Sequence, residues 1–223
     1  MSLLEYLQVL SVGAWVTVQL TAYSTLLGAV VAFAFGLGRT SHLRLLRWTC
    51  AALIEIFRGT SLLVQLFWLF FALPVLGVAL GVNLRMPAVV AGTLALGLNI
   101  GAYGAEVVRG AVQAVPRSQH EAALALDFTP RQILWRIALP QAIPEMMPTF
   151  SNLAVQNLKD TALVSLVGLS DMAFQADRLR NFTQDSVPIY TLLLFLYFGM
   201  ALVLSVFMRL LETCTSRWRG ARS

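Results

Sequence analysis

Charge is scarce in this sequence. Only 12% of its 223 residues are Asp, Glu, Lys or Arg, about half the share found in a soluble domain. A fold wetted on every side is thereby excluded, and the 58% hydrophobic content points to lipid instead. Cysteine is rarer still. Cys50 and Cys214 are far apart, form no metal-ligand spacing and no disulfide framework, and read as inert thiols. The two histidines, His42 and His120, fall in basic connecting segments and read as solvated loop residues. Lysine occurs once. Lys159 is followed by Asp160 and lacks the preceding glycines of a phosphate-binding Gly-x-x-x-x-Gly-Lys-Ser/Thr loop, so the chain has no such loop. No nucleophile triad, paired acid/base set or zinc motif stands out, and an integral membrane enzyme would need one at a membrane face. No Lys or Arg precedes Arg39, so a cleavable signal with a basic start is not evident.

What is present is long apolar runs. The first, Val9 to Gly38, is expected to stay in the mature protein as a membrane span. A span needs about 20 apolar residues. Five candidates follow: 11–37, 49–73, 86–108, 149–170 and 189–211. The length suits one domain, 1–223. Formal net charge is +5, but the basic residues sit between apolar runs, which favours the membrane surface over nucleic acid. Arg39, Arg44 and Arg47 follow the first run; Arg109, Arg117, Arg131 and Arg136 follow the third; Arg209, Arg217, Arg219 and Arg222 close the chain. The other side carries only Arg85, Arg178 and Arg180, the last two offset by Asp171, Asp177 and Asp185. Basic connections mark the cytoplasmic side. Five spans, with the N-terminus outside and the C-terminus in the cytoplasm, place every heavily basic segment there.

The long connection 109–148 has helical punctuation. Ser118 and Glu121 read as a capping box. Thr129, Pro130 and Gln132 repeat the signal, with Pro at the first helical position. The pattern predicts two short helices with a sharp joint near Asp127. Pro140, Pro144 and Pro148 are expected to interrupt the chain where it re-enters the membrane. No internal repeat or low-complexity segment is evident.

Residues 121–140, EAALALDFTPRQILWRIALP, resemble the coupling motif of bacterial ABC importer permeases: Glu-Ala-Ala, three residues, Gly, nine residues, Ile-x-Leu-Pro. Glu121, Ala122, Ala123, Ile137, Leu139 and Pro140 fall at those places. Asp127 stands where the family usually has Gly, and Asp tolerates left-handed backbone better than most residues. FRGTSLLVQLF (57–67), GAYGAEVVRGAVQAVP (101–116) and LKDTALVSLVG (158–168) resemble the polar amino-acid branch of these type I importers. FRGTSLLVQLFWLFFALP (57–74) and LSDMAFQADRLR (169–180) are similar to ectoine and hydroxyectoine permeases. The resemblance covers most of the chain from about residue 12. It implies an all-α transmembrane domain whose coupling segment, 118–139, seats in a groove of a cytoplasmic ATPase. It further implies a second permease chain, two ATPase subunits carrying ATP and Mg, and an external solute-binding protein. This chain would hold no cofactor, metal or catalytic residue of its own. Arg131 and Arg136 read as markers of the inner face.

Ionisable groups inside a span are costly and usually face a bundle interior or cavity. At about 1.5 Å per residue, Arg58 lies roughly 13 Å into its span, and Lys159 and Asp160 roughly 15–17 Å into theirs. Asn99, Tyr103 and Glu106 share one helix face; Gln156, Asp160 and Thr161 form a similar stripe. With Gln65 they make a candidate path for a small zwitterion, an amino acid or a compatible solute such as ectoine. Internal pairing competes with this reading: Glu55 and Arg58 are i, i+3, and Lys159 could meet a carboxylate on another span. Gly97, Gly101 and Gly104 read as close-packing positions between helices. An ATP-independent secondary transporter or channel would share the spans and buried charges but leave the coupling segment unexplained.

Overall fold

The computed structural model describes residues 3–41 and 43–220; His42 and Arg222 lie outside them. Among the described residues the chain is all-helical, with no strand. The order is α1 (Leu3–Arg39), α2 (Arg44–Gly59), α3 (Leu62–Phe67), α4 (Leu73–Ala79), α5 (Ala88–Gln113), α6 (Arg117–Ala125), α7 (Pro130–Ile133), α8 (Leu139–Asp160), α9 (Met172–Thr183) and α10 (Ser186–Gly220). Four stretches among them are long and apolar enough to cross a membrane: Glu5–Arg39, Leu62–Ala79, Ala88–Gln113 and Ser186–Thr215.

The centre is α1 against α5, the most extensive packing in the chain. Missing side chains make it possible. A Cβ on Gly97 would lie 2.7 Å from Leu27 Cδ2, one on Gly101 2.7 Å from Val31 Cβ, and one on Gly104 2.7 Å from Ala32 Cβ. From the other side, Gly36 of α1 approaches the Ala105 carbonyl of α5. Small residues let helix backbones approach where lipid offers no hydrophobic driving force between spans. Ala32, Val108, Ala138, Leu139 and Met146 then form a buried cluster tying the start of α8 to this pair. At the other end, Tyr6, Leu10, Met172, Leu179 and Ile189 join α1, α9 and α10.

Two predicted spans are redrawn. The stretch 49–73 is not one helix: it breaks at Thr60 and Ser61, both extended, and the apolar crossing is 62–79. The first part, α2, carries Arg44, Arg47, Glu55 and Arg58 and is too polar for a span. The stretch 149–170 falls on the second half of α8, a 3₁₀ segment Thr161–Val167 and a left-handed Gly168 (φ 80°).

The prolines do not interrupt the chain where expected. Pro144 and Pro148 lie inside α8. Before Pro140 the helix widens into a π-turn, Leu134–Ala138, closed by the Leu139 amide on the Leu134 carbonyl. A second π-turn, Trp68–Ala72, joins α3 to α4, closed by the Leu73 amide on the Trp68 carbonyl just before Pro74. Both end in Ala-Leu-Pro. Proline has no N–H and its ring collides with the carbonyl four residues back; the wider turn precedes it at both sites.

Candidate functional site

The break between α2 and α3 leaves carbonyls without helical partners. The Phe57 carbonyl accepts from Gln65 Nε2 at 2.7 Å and from Asn99 Nδ2 at 3.2 Å. Gln65 Nε2 also donates to Thr60 Oγ1 at 2.8 Å, and Asn99 Nδ2 to Gln65 Oε1 at 3.4 Å. Two amide side chains from α3 and α5 therefore replace the water that the broken helix would otherwise need.

Beside this break lies a cavity of about 300 Å³ between α3, α5 and α8. Asn99, Tyr103, Gln156, Asn157 and Asp160 are its polar lining, with Leu62, Leu96, Ile100 and Leu153 between them. At about 1.5 Å per residue, Asn99 and Tyr103 sit roughly 17–23 Å along α5, near the middle of that helix. Gln156 Nε2 donates to Asp160 Oδ1 at 3.0 Å. The Arg58 guanidinium stands 5.4 Å from the centre of the Tyr103 ring, and its Nε is buried without a hydrogen-bond partner. The cavity thus offers one carboxylate, several neutral polar groups, and a cation behind the aromatic wall.

The predicted path residues divide. Asn99, Tyr103, Gln156 and Asp160 come together on the cavity, Gln65 supports it, and Arg58 borders it. Lys159 is not among the lining residues: it is exposed and, among the described residues, forms no salt bridge within 4.0 Å. Thr161 is fully buried and its hydroxyl donates to the Leu158 carbonyl at 2.6 Å. Glu106 leaves the Asn99–Tyr103 stripe. Its carboxylate contacts Arg39 of α1 and accepts from Arg109 Nε at 2.8 Å. Glu55 and Arg58 approach to 3.7 Å, as their spacing suggests. Sequence reasoning missed Asn157. It is 2% exposed, and its amide donates to Ser24 Oγ at 2.7 Å and Thr25 Oγ1 at 2.9 Å. A polar residue directly after Gln156 was the available signal.

The connection after α5 forms a second site. Its joint has the double hydrogen bond of a Schellman ending: Phe128 N donates to the Ala123 carbonyl and Asp127 N to the Leu124 carbonyl. Asp127 takes the left-handed position usual for Gly, with φ 55°. Thr129 and Gln132 form the expected capping box. Ser118 and Glu121 do not: α6 starts at Arg117 behind Pro116, so Ser118 is already inside the helix. Ala123 is 2% exposed and Leu139 4%, so both serve internal packing rather than the outer surface. Glu121, Ala122, Pro140, Arg131 and Arg136 are exposed, and Ile137 is half-buried. The unanticipated feature is apolar: Leu124, Leu126 and Trp135 are 57%, 70% and 63% exposed.

On the far side of α1, Asp171 is fully buried and caps α9 through the amides of Ala173 and Phe174. It lies outside the four apolar crossings. Burial pushes its carboxyl up to about 6, against the opposing pull of the capping amides. It is a buried cap rather than an offset for the surface arginines; Asp177 fills that role, 3.0 Å from Arg180. No group of three or more His, Cys, Asp or Glu that could hold a metal ion occurs among the described residues.

A bundle of membrane-crossing helices around a polar cavity, with an exposed two-helix joint at one end, defines a transport subunit. Residues 24–217 match the family described as binding-protein-dependent transport system inner membrane component, and the chain belongs to that family. It is a membrane permease subunit, distinct from the ATP-hydrolysing subunit of such systems. A probable amino-acid ABC transporter permease of Sinorhizobium fredii is 62% identical over 98% of this chain and 92% of its own length. The L-cystine transport system permease protein TcyB of Bacillus subtilis is 34% identical over 94% of this chain and 88% of its own. A crystal structure of an amino acid ABC transporter with histidines superposes with a TM-score of 0.84 at 31% identity, covering 94% of this chain and 95% of that one. The MetNI methionine ABC transporter, inward-facing, shares the fold at 20% identity, with a TM-score of 0.75 over 94% of this chain and 97% of that one.

Proposed function

We propose that the chain carries a small zwitterion, an amino acid in the first instance, through the cavity between α3, α5 and α8. The observation behind this reading is that cavity: a carboxylate, Asp160, and an amide, Gln156, from the end of α8 converge with Asn99 from the middle of the membrane-crossing α5. Polar groups between membrane helices are expensive, and a solute carrying its own ammonium and carboxylate complements Asp160 on one side and Arg58 behind Tyr103 on the other. The chain acts as a single transmembrane domain, crosses the bacterial inner membrane five times, and has its N-terminus outside and its C-terminus in the cytoplasm. It pairs with a second permease copy or a related one. An external binding protein delivers the solute, and two cytoplasmic ATPase subunits hold ATP and Mg. Segment 118–139 transmits their closure, with Leu124, Leu126 and Trp135 supplying the apolar contact and Glu121 and Ala122 the remaining outer face.

The test is ATP hydrolysis and solute uptake in proteoliposomes holding this chain and its co-purifying subunits, with a panel of amino acids and ectoine. ATP- and binding-protein-dependent uptake that Asp160→Asn abolishes while hydrolysis persists supports the reading. Uptake that follows only a solute or ion gradient would make the protein a secondary transporter.

A further inference from the structure

A second cleft has the opposite chemistry. It measures about 200 Å³ and lies between α1, α8 and α10 over Ile100 of α5, bordered by Ala29, Phe33, Met147, Phe150 and Met208. Its polar lining residue is Thr25, whose hydroxyl already accepts the Asn157 amide. Phe33 and Phe150 stack nearly parallel at 6.1 Å along it. The helices around it expose apolar side chains. Leu26 and Val30 of α1 are 69% and 61% exposed, and Phe207 and Leu210 of α10 54% and 60%. From Thr25 to Phe33 the cleft follows α1 for about 12 Å, close to the ~15 Å hydrocarbon depth of one leaflet. One end approaches the basic rim. Met208 is followed by Arg209, which is exposed and, among the described residues, makes no salt bridge within 4.0 Å, whereas Arg39 is taken up by Glu106.

We infer that this cleft holds one acyl chain of an anionic phospholipid, with Arg209 meeting its phosphate. Apolar lining selects hydrocarbon over water: a cavity without polar partners gives a water nothing to bond. A long cationic side chain at the end of a span reaches the headgroup region readily. Ile100 of α5 and the Thr25–Asn157 hydrogen bond divide the cleft from the polar cavity, and the site does not depend on the identity of the transported solute.

The experiment uses the purified full chain with its co-purifying subunits in vesicles of phosphatidylethanolamine and phosphatidylglycerol. A trace of phosphatidylglycerol carries a diazirine in its acyl chain, and adducts are mapped by mass spectrometry after illumination. Adducts concentrated on residues 143–150 and 25–33 are expected. They should fall at least about fivefold in Ala29→Phe, which fills the cleft, and rise in Met208→Ala, which opens it. Arg209→Gln should lower labelling more for the phosphatidylglycerol probe, whose phosphate charge is uncompensated, than for a phosphatidylcholine probe with the same chain. Labelling spread evenly along the outer face of α10, unchanged in these variants, would overturn the site. So would efficient disulfide trapping between two copies bearing Met147→Cys in a background without Cys50 and Cys214, because a second chain would then fill the cleft. Met208→Ala removes bulk rather than adding it, so a folding failure of Ala29→Phe leaves the test intact.

Discussion

Two of the places where the chain leaves a helix abruptly, Gly59–Ser61 and Leu126–Phe128, satisfy their stranded carbonyls in different ways. At the exposed joint the backbone does it alone: Asp127 turns left-handed, its own amide donates to the Leu124 carbonyl and the Phe128 amide to the Ala123 carbonyl. At the break beside the cavity the backbone stays extended, and Gln65 and Asn99 supply the donors. Non-helical backbone at membrane depth is tolerated where protein or a polar cavity satisfies it. The cavity and the break are therefore one construction: the same Asn99 that silences the Phe57 carbonyl lines the cavity. The outer joint carries no such debt to its neighbours, so its outward side chains are free to meet another subunit.

If that contrast is right, damage to the two places should separate function from stability. The largest effect belongs to the outer joint. Leu126→Asp is expected to lower ATP-driven uptake by about tenfold or more while changing stability within about 0.5 kcal/mol, as for ordinary surface positions. Equal uptake by the variant and the parent would remove Leu126 from the coupling surface.

Asp171 extends the comparison to a buried helix start. Its carboxyl is raised to about 6 from 3.8, so the folded state binds a proton more tightly than the unfolded one. Stability should rise as pH falls from about 6 towards 4 and be flat outside that window, the charged form costing ~2–3 kcal/mol above it. The titratable group facing Asp171 is Tyr197 of α10. Asp171→Asn keeps the capping oxygen and should abolish this pH dependence in thermal or denaturant unfolding; a retained slope would assign it elsewhere.

Gln65→Leu should cost about 1–3 kcal/mol, the range for leaving a buried acceptor short of its donor. The double variant with Asn99→Leu should lose more than the sum, because each amide alone still bonds the Phe57 carbonyl and only their joint removal leaves it without a side-chain donor. Additive losses in a double-mutant cycle would mean that they act separately. The smallest change is Asp127→Gly. Removing the left-handed side chain should stabilise the joint by about 1 kcal/mol, read as a modest rise in Tm with uptake unchanged.

Much of this architecture was legible in the sequence, for reasons that differ by element. Gly97, Gly101 and Gly104 stand close together in one apolar run, so a close approach between helices could be read, whereas the packing shows that the partner is α1. Thr129-Pro130-x-Gln132 could be read because a capping box is local. Asn99, Tyr103, Gln156 and Asp160 could be paired because each set repeats at helical spacing. The break at Thr60 was hidden by a hydropathy window that averages over it. Ser118 was misread because the helix is entered from Pro116, two residues earlier than a Ser118 cap implies. Glu106 shares the spacing of Asn99 and Tyr103 but stands beside Arg39, a neighbour on another helix that no local pattern reveals. Ala123 and Leu139 belong to the coupling motif in sequence yet are covered by the chain itself, which only the packing discloses.

The π-turn at Leu134–Ala138 gives the Ile-x-Leu-Pro spacing an angular meaning. One extra residue in a turn shifts the phase of everything beyond it by about 100°. That phase leaves Trp135 and Arg136 outward while Ala138 and Leu139 face the core. Deleting a single residue between Leu134 and Pro140 would shorten the chain trivially but would rotate α8 about its own axis, turning Leu139 out of the core and sweeping Gln156 and Asp160 away from the cavity some 20 residues further on.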